Sequence, residues 1–233
     1  MNSDGLWLHE EILLMALNDK SGKVDVTSWY AYAIGGALLT ELVLASRVRL
    51  ETEGKQSNVR LSDPQPLGEP VLDECLEKIE HDGRSRRPDH WVSIFANLKE
   101  LKHRIAAGLC DRGILRMDKD KILGLFERRL YPEVNPEPER AMITRLRRAI
   151  FTDQENVDAR TIVLIGLTEG SGLLQSAFDK KQLKSRRSRI EGMIKGDIAG
   201  AATREALEAA QTAAIMVSVI LPTVMASTMV ATN

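Results

Sequence analysis

Aromatic side chains are scarce in this sequence, at 4% of residues, so the apolar share of 43% rests on Leu, Ile, Val, Ala and Met. That balance favours packed helices over a β-sandwich or barrel, whose strands draw on aromatic and β-branched residues. Only two cysteines are present, Cys75 and Cys110, each inside an apolar-periodic segment. They make no disulfide framework, which points to a reducing compartment and to buried, inert thiols. Excess charge of either sign is also missing. The formal net charge is −1, so no whole-molecule field draws the chain to nucleic acid or anionic lipid, and any such partner must meet a local patch.

Catalytic signatures are absent as well. The sequence contains no G-x-G-x-x-G, P-loop, H-E-x-x-H or G-x-S-x-G, and nothing pairs a nucleophile with a base. The histidines His9, His81, His90 and His103 lack metal-ligand spacing. His9 stands before Glu10 and Glu11, an arrangement expected of acids near a helix N-terminus. We therefore expect no enzyme, no metal and no cofactor. No basic stretch precedes the first apolar run, so no signal peptide is expected. Residues 209–233 carry no charge at all, a length able to cross a bilayer by the rule of about 20 residues. Pro222 interrupts that run, and Ser218, Thr223, Ser227 and Thr228 dilute it. A core helix over 203–221 followed by a loose tail is the expectation.

What is present follows helical spacing with two interruptions by strands. Asp4 is placed to cap a helix over 6–17, and Asn18 to Gly22 to turn after it. A second helix spans 29–45, with Ile34, Leu38, Leu42 and Ala45 on one face. Val48 to Glu51 and Asn58 to Leu61 alternate apolar and polar residues around Glu53-Gly54-Lys55, which predicts a hairpin. Pro64, Pro66 and Pro70 mark a loop before a helix near 71–79. Leu98, Leu101, Ile105 and Leu109 line a further helix that Gly113 stops. Ile114 to Met117 and Ile122 to Phe126 then flank the polar stretch Asp118-Lys119-Asp120, which predicts a second hairpin over 114–126. Helix followed by wing thus recurs, at 29–61 and 94–131. Helices over 141–151 and around Ile162 to Leu167 complete a mainly α chain, read as one globular domain over 1–233 with short β-hairpins.

Three basic runs read as solvated surface: Arg84 to Arg87, Arg145 to Arg148, and Lys184 to Arg189. Lys99 and Lys102 are more pointed. On a helical wheel they border the Leu98–Leu101–Ile105 stripe three residues apart, so two ammonium groups can converge on one phosphate. In the second hairpin, Ile122, Leu123, Leu125 and Phe126 place apolar residues on both strand faces, as a contact with a membrane or another subunit requires.

The ordered segments Leu6-Trp7-Leu8-His9-Glu10-Glu11-Ile12-Leu13-Leu14, Asp19 to Gly22, Gly36 to Leu44, Arg47 to Leu50, Val71 to Glu74, Arg104 to Ala106, Arg112 to Leu115, Asp158 to Leu164 and Leu173 to Phe178 together resemble the Golgi phosphoprotein 3 family. The likeness runs collinearly from about 6 to 221, leaving 222–233 as a tail. It implies a mainly helical fold with hairpins and no catalytic activity. It implies binding of phosphatidylinositol 4-phosphate at a membrane surface and, in eukaryotic relatives, capture of glycosyltransferase cytoplasmic tails. The family's lipid pocket uses a tryptophan and an arginine before and in the second helix, and two basic residues on a later helix. The basic pair falls on Lys99 and Lys102. The tryptophan position falls near Val26 or Thr27, with Trp29 close enough to replace it, and the arginine position falls on Gly35. The resemblance, without a long charged N-terminal extension, suggests a bacterial homologue. The expectation is a cytoplasmic, peripherally membrane-associated adaptor. Its partners would be anionic phospholipid, tails of membrane proteins and a second copy through the 114–126 hairpin. A nucleic-acid-binding winged-helix-like protein is the alternative. The net charge and the lack of an evident recognition helix weigh against it.

Overall fold

The computed structural model describes residues 5–24, 29–53, 56–122 and 126–195. The mainly helical reading holds. Two helices form the centre. Helix α1 (Leu8–Ala16) is buried along its whole length, and α2 (Tyr30–Leu44) is buried from Ala33 to Val43. Asp4 lies outside the described residues; Trp7 occupies the N-cap of α1, and its backbone N–H donates to the Glu10 carboxylate at 2.8 Å. Around this pair stand α3 (Pro70–Asp82), α4 (Pro88–Ala96), α5 (Leu101–Asp111), α6 (Glu137–Phe151) and α7 (Ala159–Ser171). Helix α1 packs on α2, α5, α6 and α7, while α2 also packs on α3 and α4. The short α8 (Leu174–Ala177), α9 (Lys180–Ser185) and α10 (Arg187–Lys195) follow, with α10 against α7.

Pro70 opens α3 instead of lying in the preceding loop, because a proline at the first helical position loses no intrahelical bond. Helix α4 has no counterpart among the expected elements. It begins at Pro88 and buries Trp91, Val92 and Phe95.

The first hairpin matches its expected position. Strands β1 (Val48–Glu53) and β2 (Gln56–Leu61) pair antiparallel from Val48↔Leu61 to Glu53↔Gln56. Val48 and Val59 bury their side chains, and the Val59 N–H donates to the Arg86 carbonyl at 2.7 Å.

The second hairpin is displaced. Strands β3 (Asp118–Ile122) and β4 (Phe126–Leu130) pair from Asp118↔Leu130 to Ile122↔Phe126. Asp118, Lys119 and Asp120, expected as the turn, are strand residues. Ile122 and Phe126 close the ladder, and Leu123 and Leu125 lie outside the described residues. The strands are charged, not apolar on both faces: Lys119 pairs with Glu127 at 3.2 Å and Arg128 with Asp120 at 3.0 Å. Cross-strand pairs of this kind hold a ladder that apolar packing does not. Beyond β4, the Tyr131 N–H donates to the Gly22 carbonyl at 3.1 Å and the Glu133 N–H to the Asp19 carbonyl at 2.9 Å. Gly22 sits at φ 62°, against the backbone of Tyr131.

Among the described residues, no helix is long and apolar enough to cross a membrane. The expected helix over 203–221 and its tail lie outside those residues.

Candidate functional site

The stripe Leu98, Leu101, Ile105 and Leu109 is buried as expected, but one continuous helix does not carry it. Helix α4 ends at Ala96, with the Asn97 side chain donating to the Ser93 carbonyl at 2.8 Å. Helix α5 starts at Leu101. Glu100 between them takes φ 57°, ψ 23°, in the left-handed region. Lys99 therefore stands exposed in a turn, while Lys102 stands half-buried in the first turn of α5. The two flank the N-terminus of an eleven-residue helix, where the backbone dipole adds positive potential.

Strand β4 brings further charge. Arg128 and Arg129 lie close enough to Lys102 that burial, and then these two guanidiniums, hold its ammonium below the ordinary lysine range. Arg129 forms an ion pair with Glu100. His103, one residue further along α5, has Nδ1 2.8 Å from the Tyr131 hydroxyl. Burial, with Lys102 and Arg129 nearby, lowers its pKa. Lys99, Lys102, Arg128 and Arg129 thus gather about Glu100 and Asp120, and the cations outnumber the acids. Sequence reading found the two lysines and missed the two arginines, because docking of the hairpin beside α5 is a long-range event.

The other expected pocket residues stand differently. Val26 and Thr27 lie outside the described residues. Trp29 is half-buried, its ring 6.2 Å from that of Tyr32 at 40°, and no cation–ring contact joins it to either lysine among the described residues. At Gly35 the helices touch: a Cβ there would lie 2.5 Å from the Val92 carbonyl oxygen and 3.0 Å from the Ala96 nitrogen. No arginine fits at this position without separating α2 from α4.

The basic runs are mixed: Arg84, Arg87, Arg147, Arg148, Lys184 and Arg187 are exposed as expected, while several members are engaged. Arg145 pairs with the fully buried Glu11. Arg147 lies 5.1 Å over the Phe178 ring. Arg186 reaches Asp153 at 3.0 Å, and Arg189 donates to the Ala149 carbonyl at 2.8 Å. Glu10 and Glu11 stand in the first turn of α1, as expected, and are buried there. Glu10 pairs with Arg112, and Glu41 takes Arg160 at 2.9 Å and the Leu8 N–H at 2.7 Å. Burial raises the Glu11 pKa to about 7 against the pull of Arg145. Burial, then Arg112 and Arg160, push His9 down to about 3, so it is neutral and neither of its ring nitrogens has a hydrogen-bond partner. The acids and His9 are buried, and their pairs with Arg112, Arg145 and Arg160 join the two central helices to the end of α5, to α6 and to α7.

A family model described as Golgi phosphoprotein 3 (GPP34) matches residues 8–210. The chain belongs to the Golgi phosphoprotein 3 family. It is 24% identical over 224 residues to vacuolar protein sorting-associated protein 74 of Schizosaccharomyces pombe, a match covering 81% of this chain and 66% of the relative. The protein of the same name in Eremothecium gossypii is 25% identical over 225 residues, covering 81% and 67%. The chain thus spans about two thirds of the length of these curated relatives.

Proposed function

We propose that this Golgi phosphoprotein 3 family member is a non-catalytic peripheral membrane adaptor that binds anionic phospholipid headgroups, phosphatidylinositol 4-phosphate by family relation. The observation that carries the reading is the gathering of Lys99, Lys102, Arg128 and Arg129 at the N-terminus of α5. Amines and guanidiniums at a helix start suit a phosphate monoester. Trp29 is the aromatic side chain offered for the pocket's rim. The hairpin supports the same reading. Its strands are charged, while the sequence at its tip, Ile122, Leu123, Leu125 and Phe126, supplies apolar residues for the acyl boundary or for a second copy. Residues 1–233 act as one domain, and cytoplasmic tails of membrane proteins are the cargo class, in keeping with sorting-associated relatives.

The test is cosedimentation with vesicles containing phosphatidylinositol 4-phosphate. Each basic residue near an anionic surface contributes about 1 kcal/mol, so Lys99→Ala/Lys102→Ala should weaken binding about thirtyfold. The loss should shrink at high salt, because the Debye length falls to about 3 Å at 1 M. Equal binding of the variant and the native protein at low salt refutes the site.

A further inference from the structure

The side chain of Glu100, in the cation cluster, joins the start of α5 to β4. Glu100 adopts φ 57°, a conformation that carries a steric cost for any residue with a Cβ, and its side chain does not cap α5. It lies between Lys99 and Lys102 in sequence and forms an ion pair with Arg129 of β4. The Arg129 hydrogen bond, with His103 and Lys99 nearby, holds its carboxyl below the usual range, so it is ionised. Arg129 pairs with this carboxylate directly, and Lys99 and Lys102 interact with it through space.

We propose that the Glu100 carboxylate is an internal competitor that occupies Arg129 and must be displaced when a phosphate monoester enters the cluster. This rests on the reading of Lys99 and Lys102 as the anion site and adds a residue that tunes its affinity. A weakly charged headgroup, such as a phosphodiester, does not repay the lost Glu100–Arg129 pair. A dianionic monoester recovers it by taking Arg129 itself, since it makes a charge-assisted bond of the same kind and carries a second charge for the other cations. Glu100 therefore lowers affinity most for an anion that takes Arg129, by the free energy of the pair it breaks, and lowers it less for a diester that leaves the pair intact.

Vesicle titrations of the full chain test this with phosphatidylinositol 4-phosphate vesicles, phosphatidylserine vesicles of matched total charge, and soluble inositol 1,4-bisphosphate as a competitor. Glu100→Gln keeps the side-chain size and removes the charge. It should tighten binding to the monoester lipid about fivefold, the size expected for one charge at an anionic surface, and binding to phosphatidylserine vesicles by less. The gain should vanish in Glu100→Gln/Arg129→Ala. Glu155→Gln, an exposed acid in the loop after α6, should change neither. The soluble competitor should displace Glu100→Gln protein from the monoester lipid if the headgroup alone is read; failure to displace it would mean that the bilayer charge is what the cluster senses, which overturns the proposal. No gain from Glu100→Gln, a gain equal for both lipids, or a gain that survives Arg129→Ala also overturns it, provided Lys99→Ala/Lys102→Ala still weakens binding. If that double variant binds like the native protein, the anion site itself is wrong and the role of Glu100 falls with it.

Discussion

Gly35 and Gly108 form a matched pair for testing the close approach of α2 to α4. Both are glycines inside helices, and replacing an interior glycine by alanine ordinarily gains about 0.5–1 kcal/mol through backbone entropy. At Gly108 of α5 the added Cβ meets nothing nearer than a Glu10 carboxylate oxygen at 4.0 Å, so Gly108→Ala should show that full gain. At Gly35 the same atom would stand 2.5 Å from the Val92 carbonyl oxygen, 3.0 Å from the Ala96 nitrogen and 3.4 Å from the Ala96 Cβ. The first two are backbone atoms of α4 and cannot rotate away. Helices α2 and α4 must separate, and overpacking of this kind costs about 1–3 kcal/mol, which exceeds the entropic gain. Urea unfolding followed by helical circular dichroism should therefore place Gly35→Ala about 1–2 kcal/mol below the native protein. For a chain of this size the melting temperature should drop by about 2–8 °C. Gly35→Arg should be worse, and should bind vesicles no better than Gly35→Ala. If Gly35→Ala proves as stabilising as Gly108→Ala, the close approach of α2 to α4 is wrong, and so is the argument against an arginine there.

Two further expectations concern buried charge. His9 is held neutral, with a folded pKa near 3 against 6.5 when unfolded, so its contribution is complete above pH 6.5 and is lost as pH falls toward 3. The unfolded state binds the proton first, at about 1.4 kcal/mol per pH unit. His9→Leu should thus spare about 2–3 kcal/mol of stability between pH 6 and pH 4 relative to the native protein, read by urea midpoints; parallel acid profiles would rule this out. Arg160→Leu leaves Glu41, 1% exposed, with the Leu8 N–H as its remaining donor and should cost about 3–5 kcal/mol. Glu41→Gln/Arg160→Leu should recover most of that, since the amide oxygen still accepts from Leu8. A single-variant cost below about 1 kcal/mol would show that the pair is not structural.

Helical periodicity made most of the core legible. Helices α2, α6 and α7 and the first hairpin fall close to their expected positions because each buries a face set by local spacing. The break at 97–100 was hidden for a related reason. Leu98 remains buried at 8% although the backbone leaves the helix there, so the apolar stripe continues through a turn that pattern alone reads as helix. Helix α4 carried a readable start in Pro88 followed by Trp91, Val92 and Phe95, overlooked because the polar run before it looked like a loop. The second hairpin misled in the opposite way. Its one apolar run spans the reversal, while the strands are held by charge pairs such as Lys119–Glu127 that spacing does not reveal.

The buried acids were illegible because their partners lie 102, 134 and 119 residues away, for Glu10, Glu11 and Glu41 respectively. The cation cluster divides along the same line. Lys99 and Lys102 are neighbours in sequence and could be singled out, whereas Arg128 and Arg129 reach them only after β4 docks beside α5. That distinction bears on the proposed site. The α2–α4 contact at Gly35 closes the position where the resemblance places an arginine, so an anion at the proposed Lys99 and Lys102 site cannot be met by a guanidinium from that position. Further charge comes from β4, whose Arg128 and Arg129 both act on Lys102 while pairing with Asp120 and Glu100 respectively. A cluster assembled in this way makes hairpin position and headgroup affinity interdependent: anything that shifts β4 relative to α5 changes how many cations face the ligand.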